Sequence, residues 1–184
     1  MSEPHSNEGA GAEEGTAARG LDGLVPHLPE SDVPVRLHDA LLARGETVAA
    51  AESLTAGLFC ATLATVPGAS ATLRGGVVVY ATELKTALAG VPAELLAEHG
   101  PVSPETAGAL ADGVRERCGA TWGVGLTGVA GPDPVDGHGP GRVYLGISGR
   151  GRTDVVELDL PGDRAAVRAG TVTTAMEALL ARLG

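Results

Sequence analysis

The sequence predicts an α/β protein, a single three-layer α/β/α domain built on a mixed sheet. Short apolar runs of strand length, such as Gly76–Tyr80 and Thr121–Leu126, alternate with stretches of helical spacing. Two further runs, 142–148 and 153–160, follow one another across Gly149-Arg150-Gly151-Arg152. That predicts a hairpin, and so antiparallel pairing beside the parallel strands. The length of 184 residues suits one domain, and a hydrophobic share of 43% is enough for a core.

The elements follow in order. Val35, Leu37, Leu41 and Leu42 form a helical stripe that Gly45 ends. Thr47 to Ala51 is a strand-length run, and Ala56 to Val66 reads as a helix with Thr55 placed to cap it and Pro67-Gly68 closing it. Gly76 to Tyr80 is a continuous β-branched run, which predicts a strand buried on both faces. Helices are expected over 82–88 and 93–98. Another spans Pro104 to Arg117, with Ser103 as its cap and proline at its first position. A long amphipathic helix over 163–183 closes the chain.

Composition narrows the function classes. Thirteen basic against twenty-three acidic residues give a net charge of −10, which argues against nucleic acid as the main partner. Residues 1–32 hold seven acidic side chains and Arg19, a net of −6, and are rich in Gly, Glu, Ser and Pro. They read as a disordered acidic leader without a catalytic part, leaving −4 on a domain over 33–184. Only four residues are aromatic, so Ala, Val, Leu and Gly must do the packing. Cys60 and Cys118 make neither a disulfide framework nor a metal cluster, and Cys60 is expected to pack as a small core residue. The histidines at 5, 27, 38, 99 and 138 are scattered, so no metal site is expected. No apolar run approaches a membrane span, and the N-terminus has no basic segment followed by an apolar one. A soluble cytoplasmic protein without a membrane partner is the expectation.

Of the thirteen basic residues, twelve are arginine and one, Lys85, is lysine. Arginine stays protonated in proteins, whereas a desolvated lysine can lose its proton and act as a base. The position of Lys85 therefore matters.

Three segments carry candidate chemistry, each at the C-terminal end of an expected strand, where open α/β sheets place their ligands. Ala51-Glu52-Ser53-Leu54-Thr55-Ala56-Gly57 puts a serine between a strand and a helix start. N–H groups of the first helical turn are expected to stabilise an oxyanion formed by attack of Ser53. The plainer role for Ser53 and Thr55 is capping. Val77 to Lys85 takes the Tyr80 phenol off a strand end and sets the lysine one helical turn later. A lysine held by a serine hydroxyl in a partly dry pocket can be its general base. The plainer reading is a core tyrosine and a solvated lysine. Leu126-Thr127-Gly128-Val129-Ala130-Gly131-Pro132-Asp133 is a small-residue loop whose N–H groups can form an anion nest. Arg164 would add a fixed positive charge if it faces the same cleft.

Together these segments resemble the CinA C-terminal domain family, whose characterised enzymes are nicotinamide-nucleotide amidohydrolases. The resemblance runs from about Val35 to Leu183. It rests on A-E-S-L-T-A-G-L (51–58), V-P-G-A-S (66–70), G-G-V-V-V-Y (75–80), G-V-P-A-E-L-L-A-E-H-G-P-V-S (90–103), L-T-G-V-A-G-P-D (126–133) and G-D-R-x-x-V-R (162–168). It implies hydrolysis of the carboxamide of nicotinamide mononucleotide to the nicotinate mononucleotide and ammonia. Ser53 would be the nucleophile, Lys85 its base, and Tyr80 an assisting group. Thr127 and Gly128 would bind substrate and Arg164 its phosphate, with Thr55, Gly57, Thr82 and Gly131 as further substrate-binding positions. No metal or organic cofactor is implied. The partner would be a small nucleotide, and a homo-oligomer is expected. Fused members carry an N-terminal domain resembling molybdopterin-binding proteins, and this chain is read as the stand-alone form.

The family usually reads A-E-S-C-T-G-G where this chain has Leu54 and Ala56, and Y-S-N-x-x-K where it has Ala81 and Thr82. A Lys-Pro-Val-Gly phrase is common where this chain has Gly139-Pro140-Gly141-Arg142. These departures keep two alternatives open: a paralogue that binds a nucleotide or protein with little or no turnover, and a hydrolase of another small amide.

Overall fold

Alternation along the second apolar run sets the layers. In a computed structural model that describes residues 31–184, Val48–Glu52 forms strand β1, buried along its whole length. Val48 and Ala50 belong to one core cluster, Ala49 and Ala51 to another on the opposite face. Successive side chains of a strand point to opposite faces, so this short run of alanines anchors both layers.

The elements in chain order are α1 (Val33–Arg44), β1, α2 (Leu58–Ala64), a 3₁₀ turn (Ala69–Ala71), β2 (Leu73–Val78), α3 (Thr82–Ala89), α4 (Ala93–His99), α5 (Pro104–Cys118), β3 (Trp122–Gly128), β4 (Arg142–Gly149), β5 (Arg152–Asp159) and α6 (Arg164–Leu183). The sheet order is β2-β1-β3-β4-β5. β2, β1 and β3 are parallel, while β4 runs antiparallel to both β3 and β5. Helices α1, α2 and α6 pack together over one face, and α3, α4 and α5 over the other. The domain is the three-layer α/β/α arrangement with a mixed sheet that the sequence predicts. The reading of residues 1–32 as a leader falls, up to residue 30, outside the described residues.

Local chemistry explains most boundaries. α1 ends on Gly45 in the left-handed conformation. Ser103 Oγ accepts from the Thr106 N–H at the start of α5, and Asp163 does the same for Ala166 at the start of α6. β4 and β5 are joined by Arg150 and Gly151 alone, both at positive φ, the two-residue turn whose twist matches a hairpin. Among the described residues, no helix is long and apolar enough to cross a membrane.

Two expectations are corrected. The run 76–80 is not a strand buried on both faces: β2 ends at Val78, lies at the sheet edge, and alternates between partly buried and exposed. Among the described residues it pairs only with β1, so it has a strand on one flank alone. The second helix starts at Leu58 rather than Ala56, and Thr55 does not cap it. Its N–H groups have a different acceptor, described below.

A near absence of aromatics is matched by close backbone approach. Gly125 of β3 lies opposite Gly146 of β4, and the Ala107 carbonyl of α5 sits above both. A Cβ on Gly125 would lie 2.3 Å from that oxygen, and one on Gly146 2.2 Å from it. Both contacts are to backbone, which cannot swing aside. Gly125→Ala is expected to lower the unfolding free energy by about 1–3 kcal/mol, the usual cost of overpacking. Gly139→Ala, with nothing within 4 Å of its Cβ position, is the control and stays within about 0.5 kcal/mol of wild type in the same urea titration.

Candidate active site

Three parallel strands end at one edge of the sheet, and each delivers a group there. Ser53 follows β1 directly, and its N–H donates to the Leu126 carbonyl of β3 at 2.9 Å. On the other side, the Val79 N–H donates to the Glu52 carbonyl at 2.9 Å. Ladder-like bonds thus continue past the strand ends and fix Ser53 between its neighbours. The chain from β2 then turns at Tyr80 into α3, where Lys85 points back under the sheet edge.

Lys85 is only 1% exposed. Its Nζ lies 3.2 Å from Ser53 Oγ and donates to the Val79 carbonyl at 2.9 Å. Burial holds the amine below its ordinary value of 10.5, with Glu83 pulling weakly the other way. A neutral amine has one lone pair, and with an N–H spent on Val79 that lone pair is available to the serine hydroxyl. The pair has the geometry of nucleophile and general base.

The turn between Ser53 and α2 is held from two directions. Buried Glu52 accepts from the N–H groups of Gly57 at 2.9 Å, Phe59 at 3.0 Å and Cys60 at 3.0 Å. This carboxylate, rather than Thr55, satisfies the start of the helix. The expected oxyanion role for first-turn N–H groups is therefore corrected, since those donors are occupied. Arg168 of α6 donates to the Leu54 carbonyl at 3.0 Å and to the Thr55 carbonyl at 2.7 Å. Ala56 and Gly57 both adopt positive φ, 50° and 93°, which lets the chain double back into the helix. Burial and the neighbouring Glu52 push the Cys60 thiol up, so it stays protonated.

Ser53, Lys85, Tyr80, Thr82, Thr127, Gly128, Gly131 and Arg164 line one cleft of about 660 Å³, part of it open to solvent. Thr127 is 1% exposed, and its hydroxyl donates to the Pro101 carbonyl at 2.6 Å, tying the segment before α5 to the cleft wall. Gly128 has no room for a side chain, since a Cβ would meet the Arg142 carbonyl at 2.5 Å. Arg164 donates to the Gly131 carbonyl at 2.9 Å and to Tyr80 Oη at 2.6 Å. Tyr80 is thus a rim residue, 55% exposed and engaged with the guanidinium. Thr55 and Gly57 are not brought to the cleft wall. Thr55 is fully buried, and its hydroxyl has no partner among the described residues.

Sequence reading missed four groups. Glu52 and Arg168 frame the serine turn. Asp133 and Asp136 put carboxyl-bearing side chains into the cleft lining. The first two stand inside the A-E-S and G-D-R-x-x-V-R phrases, Asp133 ends G-P-D and Asp136 follows it, so position in or near a motif was the available signal. Among the described residues, no group of three His, Cys, Asp or Glu side chains could hold a metal ion.

Residues 30–183 match the CinA C-terminal domain family. The chain belongs to that family. This CinA domain is 47% identical over 137 residues to a CinA-like protein of Frankia casuarinae, covering 74% of the chain and 32% of the relative. To a CinA-like protein of Anaeromyxobacter it is 46% identical over 165 residues, 89% of the chain and 40% of the relative. It spans about a third of the length of such curated relatives. Solved structures give the same result. A CinA superfamily protein from Klebsiella pneumoniae aligns with a TM-score of 0.81 at 33% identity, over 83% of this chain and 96% of that one. A competence/damage inducible protein from Agrobacterium tumefaciens aligns at 0.79 and 32% identity, over 85% and 98%.

Two outcomes test the frame. Glu52→Gln replaces an acceptor by an amide NH₂ facing backbone donors, and is expected to cost about 1–3 kcal/mol of stability in urea unfolding. Lys85→Met tests the desolvated amine. Between the lowered pKa and 10.5 the unfolded chain carries a proton that the folded chain lacks, so the wild type gains stability as pH rises through that window. The stability difference between Lys85→Met and wild type is therefore expected to shift in favour of the wild type as pH rises toward 10.5. A flat difference would mean that Lys85 titrates as an exposed lysine does.

Proposed function

We propose that this CinA domain is an amidohydrolase that acts on the carboxamide of nicotinamide mononucleotide, with Ser53 as nucleophile and Lys85 as general base. The observation that carries the reading is the buried Lys85 amine, 3.2 Å from Ser53 Oγ, in a cleft that Arg164 also lines. Family resemblance supplies the substrate. Cleft composition is consistent with it: a guanidinium suits the phosphate, and the Asp133 and Asp136 carboxylates suit a cationic pyridinium ring.

The chemistry then runs in two halves. Lys85 Nζ takes the hydroxyl proton as Ser53 Oγ bonds to the carboxamide carbon, and the carbonyl π pair moves to oxygen. When that pair returns, the C–N bond breaks and the nitrogen takes the proton from Lys85, leaving as ammonia. A water molecule repeats the sequence on the acyl-serine, giving its proton to Lys85. Breakage of the C–O bond returns that proton to Ser53 and frees the carboxylic acid. Tyr80 Oη, already on Arg164, holds that guanidinium at the rim where a phosphate would sit.

Ammonia release from nicotinamide mononucleotide by the purified full chain is the test. Ser53→Ala and Lys85→Ala are each expected to lower kcat by about 10²-fold or more, and a chelator should leave the wild type unchanged. Because the base works as the neutral amine, kcat/KM should rise with pH along a limb that falls below 10.5. If the wild type releases no ammonia while the nucleotide still raises its melting temperature, turnover of this substrate is excluded and the binding paralogue takes its place.

A further inference from the structure

The β3 neighbour of Ser53 has its proton committed elsewhere. Glu52 of β1 pairs with Leu126 of β3, and the Ser53 N–H on the Leu126 carbonyl carries that register one residue further. Ser53 therefore lies beside Thr127, on neighbouring strands roughly 5 Å apart. Both side chains belong to the face that α3, α4 and α5 cover. Ala49 and Ala51 pack in the core on that face, and Ser53 comes two residues on. Gly125 has Ala107 and Leu110 of α5 over it, and Thr127 comes two residues on. The contacts agree: Ser53 Oγ meets Lys85 of α3, and Thr127 Oγ1 meets Pro101, just ahead of α5. Ser53 thus stands between Lys85, anchored on the Val79 carbonyl after β2, and Thr127 on β3.

A threonine hydroxyl has one proton and two lone pairs. A carbonyl oxygen only accepts, so the 2.6 Å contact with Pro101 uses the Thr127 proton. Pro101 is held in turn, because the hydroxyls of Ser103 and Thr106 both donate to the Gly100 carbonyl one residue before it, at 3.3 and 2.7 Å. Among the described residues that is the one hydrogen bond of the Thr127 hydroxyl, and the residue lines the cleft. What it offers a ligand is lone pairs alone. The carbonyls flanking Ser53 are already engaged, Leu126 by the Ser53 N–H and Val79 by Lys85 Nζ. A group reduced to lone pairs is satisfied by an N–H and repelled by a carbonyl or carboxylate oxygen.

We propose that Thr127 Oγ1 accepts an N–H of the substrate's carboxamide, and that it makes the cleft select an amide over an acid, ester or ketone of the same shape. This rests on the reading of Ser53 as nucleophile toward a carboxamide, and it adds the orientation of that group in the site. With the NH₂ on Thr127, the carbonyl oxygen is turned away from β3, where lone pairs would repel it. The product is treated in the opposite way. After hydrolysis the same position holds a carboxylate oxygen, which brings no proton to Thr127, so the acid binds less tightly than the amide it came from. The tie to Pro101 enforces the difference, since an untethered hydroxyl would rotate and donate to the carboxylate.

The test sets Thr127→Val and Thr127→Ser beside wild type, in turnover and in binding. For turnover the ligands are nicotinamide mononucleotide and the methyl ester of its acid product, which releases methanol in place of ammonia. Thr127→Val is expected to lower kcat/KM for the amide by about three- to tenfold more than for the ester, while Thr127→Ser keeps the wild-type ratio. For binding, each change is carried on Ser53→Ala, and the ligands are the amide, the acid and the methyl ketone that has CH₃ in place of NH₂. With Thr127 present, the amide should bind about three- to tenfold more tightly than the ketone, and more tightly than the acid. With valine, amide and ketone should bind equally.

Equal losses for amide and ester in Thr127→Val would overturn the proposal and leave the amidohydrolase reading standing, because the threonine would then act only through Pro101. Equal binding of amide and ketone to Ser53→Ala would overturn it too, and that measurement does not depend on a folded Thr127→Val. A wild type that hydrolyses neither ligand removes the amidohydrolase reading. In that case a binding preference for amide over ketone that valine abolishes still establishes Thr127 as the acceptor, and no preference overturns it.

Discussion

A lysine amine sealed from water is the constraint on which this site depends. An ammonium at 1% exposure with no carboxylate bonded to it is costly, and that cost holds the amine below its ordinary value. The amine has two polar contacts, the Val79 carbonyl and the Ser53 hydroxyl. Both must be present at fixed distance, because an amine without them would be a buried polar group left unsatisfied. The requirement reaches outward through the backbone. Val79 is held to β1 by its N–H on Glu52, and Ser53 to β3 by its N–H on Leu126. The register of three parallel strands is thereby tied to one side-chain distance.

Glu52 extends the same logic by one residue. Its backbone carbonyl holds Val79, while its carboxylate holds the first turn of α2. The residue before Ser53 thus connects the segment carrying the Lys85 acceptor to the helix behind the serine. Arg168 completes the enclosure from the opposite end of the chain, 114 residues from the Leu54 carbonyl it binds. A carboxylate gathers the N–H groups and a guanidinium gathers the carbonyls. With both sets fixed, the turn has little freedom to relax, and two left-handed residues in a row are tolerated there.

That division explains how much of the fold and site was legible. Strands, helix ends and the hairpin are local events: proline after Ser103, glycine at 45 and Gly151 after Arg150 each act within a few residues. The motif serine and the solitary lysine could be placed for the same reason, since each sits at a strand end followed by a helix. Edge position is not local. Nothing in Val77-Val78-Val79 distinguishes a central strand from one paired on a single side, and only the sheet order β2-β1-β3-β4-β5 decides it. Thr55 shows the same limit. It has the chemistry of a cap, yet the acceptor that won is a carboxyl group three residues earlier whose two oxygens between them take three N–H groups. Arg168, separated by most of the chain from its acceptors, could be noticed only as part of a phrase.

The departures from the family pattern now acquire physical meanings. Ala56 replaces the usual glycine at a φ of 50°, where an L side chain costs about 1–2 kcal/mol, and its exposed methyl faces no cleft. Ala81 replaces a serine at the cap of α3, in the extended conformation a capping serine would use, and it leaves that helix without a side-chain acceptor. Both changes bear on the stability of a turn or helix end and not on the Ser53–Lys85 pair. Leu54 differs in kind. Its side chain is 3% exposed, packs in the core that α1, α2 and α6 build, and also borders the cleft beside Ser53. Thr82 opens α3 at the rim of the same cleft. Of the four changes, these two border the space a substrate would occupy. On the amidohydrolase reading proposed above, any shift in amide specificity should therefore follow Leu54 and Thr82, whereas Ala56 and Ala81 should affect how firmly the turn and the start of α3 are held.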